Sequence, residues 1–385
     1  MGSVKSPMAS AASFAACALA ASAADADETG PPTAIPALEW NAPDATSILA
    51  YGQIDKGVLS FDDGEETTSY GLTDNANSST RAGVISRTML SGDLELFSNI
   101  EIQYAPHSSG NVNQLDPNFA DYGFDNDNIR KIEAALFSEP YGRFWIGQGS
   151  MASDGIAEVD FSGTGVIAYS SVADTAAGSL FGLADGGLSD VTVGSAYTNY
   201  DGLGRKVRVR YDTPDFNGFR LKASYGRNLL DDDDADLYDV AVTYDGGFGD
   251  VLVAGAAGYA RNGGSDADIL SGSVSGLHEP TGLSLTFAAG GQDSDGPDGA
   301  YVYSKLGWAT SFFDFGGTAF SVDYYTGDDI RDLGSASESW SLAAVQEIDY
   351  WRSELWLTYR DFSYDEETTE FRDGKAVFGG LRIRF

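Results

Sequence analysis

Cysteine and histidine are nearly absent. The 385 residues contain one cysteine, Cys17, and two histidines, His107 and His278. A disulfide framework is therefore excluded, and a thiol nucleophile goes too if Cys17 leaves with an N-terminal signal. The two histidines have no neighbouring His or Cys with which to build a zinc set. Neither lies near a G-x-S-x-G turn, so a Ser-His-acid hydrolase has poor material. The glycine-rich stretch 182–194 is not followed by a P-loop lysine. Basic residues are scarce, 23 Lys and Arg against 58 Asp and Glu, and the formal charge of −35 argues against a nucleic-acid partner. No run of eighteen apolar residues follows the N-terminus, so no transmembrane helix is expected. That absence leaves a membrane barrel open, because barrel strands need only about 9–11 residues and are apolar at every second position.

The N-terminus reads as an export signal over residues 1–23. Lys5 supplies a positive charge, an Ala- and Ser-rich run extends from Met8 to Ala24, and small-x-small sites follow at Ala21-Ser22-Ala23 and Ala24-Asp25-Ala26. A myristoylation pattern at Met1–Ser6 and a lipoprotein-like Phe14-Ala15-Ala16-Cys17 are read as coincidental matches. A leader, 24–46, with Pro31, Pro32, Pro36 and Pro43, precedes the rest of the chain.

The remainder is rich in the residues of strands and tight turns, with 47 Gly, 20 Tyr and 21 Phe. Sixteen alternating segments are predicted near 47–61, 81–90, 93–105, 128–138, 142–150, 205–213, 218–227, 236–245, 249–261, 268–277, 283–292, 300–310, 316–326, 337–347, 352–363 and 376–385. Lys206, Arg208 and Arg210 interleave with Val207, Val209 and Tyr211, and Arg220, Lys222 and Ser224 with Phe219, Leu221, Ala223 and Tyr225. One face of each strand is thus apolar, often ending on an aromatic, while the other carries full charges that must meet water. An object apolar outside and charged inside is a water-filled barrel in lipid. The last segment places Leu381, Ile383 and Phe385 on the lipid face and Arg382 and Arg384 on the other. Short connections (Ser91-Gly92, Ser138–Tyr141, Thr213–Asn217) alternate with long ones (Asp62–Thr80, Pro106–Asp127, Leu230–Ala235), so one rim has turns and the other has loops. The longest connection, Ser150–Gly204, is too long to lack a role.

Several stretches taken in order resemble the general, trimeric, sixteen-stranded porins of Gram-negative outer membranes, closest in flavour to the alphaproteobacterial type. These are Tyr51-Gly52-Gln53-Ile54-Asp55, Ser79-Thr80-Arg81-Ala82-Gly83, Tyr141–Gln148, Arg208–Pro214 with Gly218-Phe219, and the terminal Phe385. The resemblance implies an all-β, sixteen-stranded antiparallel transmembrane barrel over 47–385, with the third loop, about 150–204, folded into the lumen. It implies loop acids Asp154, Glu158, Asp160 and Asp174 facing wall cations drawn from Arg81, Arg87, Arg130, Lys131, Arg143, Arg208 and Arg210. Either Arg130 or Lys131 points inward: the alternation of Ile132, Ala134 and Leu136 favours Lys131, and family position favours Arg130. Phe385 matches the family's assembly signal, read by the barrel-assembly machinery through the last strand. The implied partners are two further copies of the chain, outer-membrane lipid and lipopolysaccharide, and small hydrophilic solutes. Opposed charges across a narrow pore would filter solutes by size and polarity.

Other readings stay open beside this one. A substrate-selective porin for sugars or anions would use the Lys206/Arg208/Arg210 ladder as its path. A barrel enzyme and a secreted acidic β-protein are further alternatives. No cofactor is expected. Asp231-Asp232-Asp233-Asp234 is a candidate for weak structural calcium, since hard cations want several carboxylate oxygens, but it lacks an EF-hand spacing.

Overall fold

The structure, a computed structural model, describes residues 35–42, 46–231 and 235–385. The expected signal peptide, most of the leader, and Asp232, Asp233 and Asp234 of the candidate calcium site lie outside the described residues. In chain order the strands are β1 (Leu38–Ala42), β2 (Thr46–Asp62), β3 (Thr67–Asp74), β4 (Arg81–Ser91), β5 (Leu94–Gln103), β6 (Ile129–Ser138) and β7 (Gly142–Ser150). Then come β8 (Leu180–Leu183), β9 (Leu188–Thr192), β10 (Arg205–Asp212), β11 (Phe219–Arg227), β12 (Asp236–Phe248), β13 (Val251–Asn262) and β14 (Ala267–His278). The last are β15 (Leu283–Asp293), β16 (Ala300–Phe313), β17 (Gly316–Asp328), β18 (Ala336–Ile348), β19 (Ser353–Asp365), β20 (Phe371–Arg372) and β21 (Gly374–Arg384).

Sixteen of these close on themselves by antiparallel pairing. The ring runs β2, β4, β5, β6, β7, β10 to β19 in sequence, then β21, which returns to β2 with Ile54 opposite Ile383 and Gly57 opposite Gly380. Closure leaves no strand edge with unpaired N–H and C=O groups, the condition for a sheet to sit in hydrocarbon. The sixteen segments read from the alternation coincide with these strands, differing by a few residues at their ends.

The alternation is also realised in space. On β19, Trp356, Thr358 and Arg360 are buried, whereas Leu355 and Leu357 are about half exposed, at 50% and 53%. The same outward exposure holds for Leu306, Leu342 and Val240. Apolar side chains exposed on all sides of a barrel are expected only where the solvent is lipid.

Three features depart from the sequence reading. The stretch 62–80 is not a simple loop: β3 pairs with the upper part of β2, β4 with its lower part, and residues 75–80 turn aside between them. The polar run Asn75–Thr80 explains this, since the Gln53 amide donates to the Ser78 and Ser79 carbonyls and so replaces the ladder. Within the leader, Leu38–Ala42 forms a strand that pairs with Thr46–Ala50 of β2, on the edge that β21 leaves vacant. Finally, β20 from the last long loop joins β8 and β9 in a three-stranded sheet separate from the barrel.

Phe385 closes the seam. Its N–H and C=O exchange 3.0 Å hydrogen bonds with Gly52, and its ring covers the space where a Cβ on Gly52 would lie, 2.5 Å from the ring edge. Deleting Phe385 is expected to cost about 2 kcal/mol for two lost backbone hydrogen bonds, besides impairing assembly. Gly52→Val should reproduce part of that loss by displacing the ring. Heat-modifiable electrophoretic mobility of the refolded protein measures both, and wild-type mobility and melting in both variants would refute the seam's role.

Candidate functional site

The inner wall divides into two halves of different chemistry. On β11 to β19 it presents small hydroxyls and tyrosines, and segment 151–204 is hydrogen-bonded against them. On its outward limb, Ala152 N–H donates to the Ser224 hydroxyl at 2.8 Å, Val159 N–H to Ser273 and Phe161 N–H to Ser275 at 3.0 Å. The Thr164 and Ser321 hydroxyls meet at 2.8 Å. On the return limb the Tyr197 hydroxyl lies 2.7 Å from the carbonyls of Glu338 and Ser363, and Tyr325 donates to the Thr198 carbonyl at 2.7 Å. Short inward serines let the loop backbone come close while supplying acceptors for its N–H groups. Between the limbs, the Asn75 amide donates to the Val166 carbonyl at 2.8 Å and the Ser109 hydroxyl to the Asp174 carbonyl at 2.8 Å. The excursion at 75–80 and the loop 104–128 therefore both touch this segment. Behind it Tyr197, Tyr325, Tyr301 and Phe362 pack at ring separations of 5.3 to 5.7 Å, a small apolar core within the lumen.

Lys305 on β16 is the strongest tie. Its buried ammonium lies 2.7 Å from Asp160 Oδ2 and donates to the Ala168 carbonyl at 2.6 Å. Burial alone would raise the Asp160 carboxyl, but the Lys305 charge and the Ser162 hydrogen bonds hold it below its ordinary range. Asp160 is thus a strut against the wall. Lys305→Met should leave a buried carboxylate without its partner, costing on the order of 3–5 kcal/mol. The expected readout is a noisier, larger single-channel conductance with the barrel still folded.

The other three predicted acids come together on the remaining face. Asp154 faces Arg205 at 3.9 Å, and Glu158 accepts from the Asn199 amide at 3.2 Å. Asp174 accepts a short hydrogen bond from the Tyr169 hydroxyl. A fourth carboxylate, Asp201, joins them and accepts from the N–H groups of Gly155 and Ala157 at 2.7 Å, which fixes the turn that carries Asp154 and Glu158. Nothing in the sequence singled out Asp201, because its partners are backbone groups 44 and 46 residues away. Enclosure by protein, then the Asp154 charge, push the Glu158 carboxyl up to about 7, although its side chain is open to water, which tempers the rise. Burial pushes Asp174 up to about 6, and burial with the Glu158 and Asp154 charges raises Asp201 well above the usual range. A raised carboxyl is neutral below its pKa, so the cluster should lose negative charge as pH falls from 8 to 5. Reversal potentials should shift toward anions over that interval, and Glu158→Gln should flatten the shift.

The wall that the loop leaves uncovered, β2, β4 to β7, β10 and β21, carries the predicted cations. Arg81 lies opposite Gln103 and Arg87 opposite Phe97, so both share the inward face of β4. A bulge settles the choice between Arg130 and Lys131. Lys131 stands directly opposite the inward Glu101, while Arg130 is the extra residue beside it and donates to Glu101 at 2.6 Å and Gln103 at 2.9 Å. Both therefore reach the lumen. Arg81 lies in the electrostatic field of Arg130 and Arg382, which brings in a cation from the last strand. Arg382 itself is paired with Glu354. Arg208 is buried against Glu133 on β6 and the Gly147 and Ser150 carbonyls on β7, so its charge is largely met within the barrel wall. Arg210 pairs with Asp212 at 2.7 Å and also donates to the Ser150 and Met151 carbonyls. Arg143 lies over the Phe137 ring at 5.2 Å. Among the described residues no three His, Cys, Asp or Glu side chains are grouped as metal ligands.

Comparison with known proteins bears on this arrangement. The family model for Gram-negative porins matches residues 9–366. Among solved structures, the anion-selective porin from Comamonas acidovorans is 17% identical, covering 88% of this chain and all of its own, at a TM-score of 0.61. OmpF of Salmonella typhi in complex with daunomycin is 14% identical over 90% of this chain and 100% of its own, at 0.57. The trimer form of OmpT from Vibrio cholerae is 16% identical over 89% of this chain and 100% of its own, at 0.56. At these identities the likeness is one of fold. No curated protein sequence matches the chain.

Proposed function

The chain belongs to the Gram-negative porin family, and from that premise we propose how its lumen works. It is an outer-membrane channel for passive diffusion, a channel rather than an enzyme. In our reading segment 151–204 constricts the lumen, and small hydrophilic solutes and ions pass between its acids Asp154, Glu158, Asp174 and Asp201 and the wall cations Arg81, Arg130 and Lys131. The observation that carries this is the division of the wall: the hydrogen bonds that seat the segment from Ala152 to Thr198 fall on β11 to β19. On β10, Arg210 reaches the Met151 carbonyl and Arg205 faces Asp154 where the segment leaves the barrel, so most of the cationic half stays uncovered. Opposed rows of charge set a transverse field that orders water and disfavours apolar solutes. The test is reversal potential in planar bilayers. Arg81→Gln with Arg130→Gln should shift selectivity toward cations, and Asp154→Asn with Asp174→Asn toward anions. Potentials unchanged by both pairs would refute the constriction.

A substrate-selective channel for anions is the second reading, favoured by wall cations in a chain of net charge −35. We also propose a homotrimer, as in the OmpT trimer form. The outward faces of β2 to β7 expose Ile48, Ile54, Val84, Ile100, Ile132 and Ile146, with Phe144 the one exposed aromatic within those strands. From β10 to β18 the outward faces carry Tyr211, Tyr238, Trp308, Tyr324 and Trp340. Aromatics mark interfaces with lipid headgroups, so the aliphatic sector is the one suited to contact with another copy.

A further inference from the structure

A second group of cations spans β7, β10 and β11, where the uncovered wall meets the covered half, close to the short-turn rim. Asp212 on β10 stands directly opposite Arg143 on β7 and directly opposite Lys222 on β11, so the three side chains form one inward row across three strands. Arg220 lies one step nearer the rim on the same face of β11, and Arg210 one step further from it on β10. The charges of Arg220, Arg210 and Arg87 all act on Arg143, and those of Arg210 and Arg220 act on Lys222. Two carboxylates face this group. Asp212 is already gripped by Arg210 through two hydrogen bonds, at 2.7 and 3.0 Å, and by the Trp145 indole at 3.3 Å. Asp245, at the rim, is near Lys222. Four cations against two carboxylates leave an excess of two positive charges, while most cations elsewhere on the barrel have a carboxylate within 4.0 Å, for example Arg360 with Asp323 and Lys305 with Asp160. Arg143, Arg220 and Lys222 form no such ion pair among the described residues.

The row is also held in place. Phe97, Phe137 and Trp145 form a continuous strip of rings on the inner wall, with centroids 5.0 to 5.5 Å apart. Arg87 lies over Phe97 at 5.4 Å, Arg143 over Phe137 at 5.2 Å and Arg210 over Trp145 at 5.8 Å. A guanidinium resting on a ring keeps its N–H edge free and loses little entropy when that edge binds an oxyanion. Like charges held together in this way are stabilised by an anion between them.

We propose that Arg143, Arg220 and Lys222 form an oxyanion-binding station in the short-turn vestibule, distinct from the constriction, which holds the phosphate or carboxylate group of a solute as it passes. The station rests on the channel reading above. The probe is inorganic phosphate, added to the full-length protein in planar bilayers in potassium chloride. Phosphate should lower the current saturably, and the Arg220→Gln/Lys222→Gln double variant should weaken that block by more than about tenfold, since two charge-assisted contacts are removed. Arg81→Gln should alter ion selectivity yet keep the phosphate block. Phosphate should also raise the melting temperature of the detergent-solubilised wild type and not that of the double variant, whose folding is checked by heat-modifiable mobility. A protein that does not conduct but still shows this phosphate-dependent shift would refute the channel and keep the station. A conducting wild type with neither block nor shift, or a folded double variant blocked as strongly as wild type, would overturn the station.

Discussion

Hydrocarbon offers no hydrogen bonds, so every N–H and C=O within the membrane must find its partner in the sheet itself. That constraint forces the pairing of β21 with β2, and the rest of the molecule depends on it. Once the ring is closed, period-two alternation assigns each side chain to lipid or lumen without further choice. Leu355 and Leu357 face out because Trp356 and Thr358 face in. The seam is also where the backbone comes closest, with Gly57 and Gly380 opposite each other and the Trp356 ring filling the space that a Cβ at either position would need.

A ring of this size encloses more space than its own side chains fill, and segment 151–204 is hydrogen-bonded against part of its inner wall. The loop is polar main chain brought into the barrel, so its N–H and C=O groups need partners there. The wall from β11 to β19 answers with serines, tyrosines and the Lys305–Asp160 pair. That half behaves as a protein interior, with buried aromatic rings and low exposure. On the opposite half Arg81, Arg87, Arg130 and Lys131 stay partly exposed, and Glu158, on the exposed face of the loop, is a raised carboxyl whose charge pH can remove.

The barrel was legible in the sequence because its signal is repeated sixteen times and each repeat obeys the same physical rule. The parity of Arg81 and Arg87 and the inward face of Arg208 and Arg210 followed from that rule alone. What the alternation could not give was anything set by contacts distant in sequence or by a break in the period. The bulge at Arg130 puts two successive residues on one face, so a choice between them had no correct answer. Asp160 looked like its neighbours Asp154 and Glu158, and only Lys305, 145 residues later, draws it to the wall. Asp201 is held by backbone N–H groups, which leave no mark in a sequence. β1 and β3 were missed because a Pro-rich leader and a polar run between segments carry turn-like composition even where they pair. Arg220 and Lys222 were visible as inward residues, but their excess charge emerges only when Arg143 and Asp212 are seen beside them across the strands.

The central claim is that Glu158 lines a water-filled passage bounded by the loop and the cationic wall. The most direct measurement uses Glu158→Cys in a Cys17→Ser background, with a positively charged, membrane-impermeant thiol reagent added during single-channel recording. Modification is expected to lower the conductance in discrete steps and move selectivity toward anions, because bulk and positive charge are placed in the passage. Full modification, verified by mass spectrometry, with conductance and selectivity unchanged would contradict the claim.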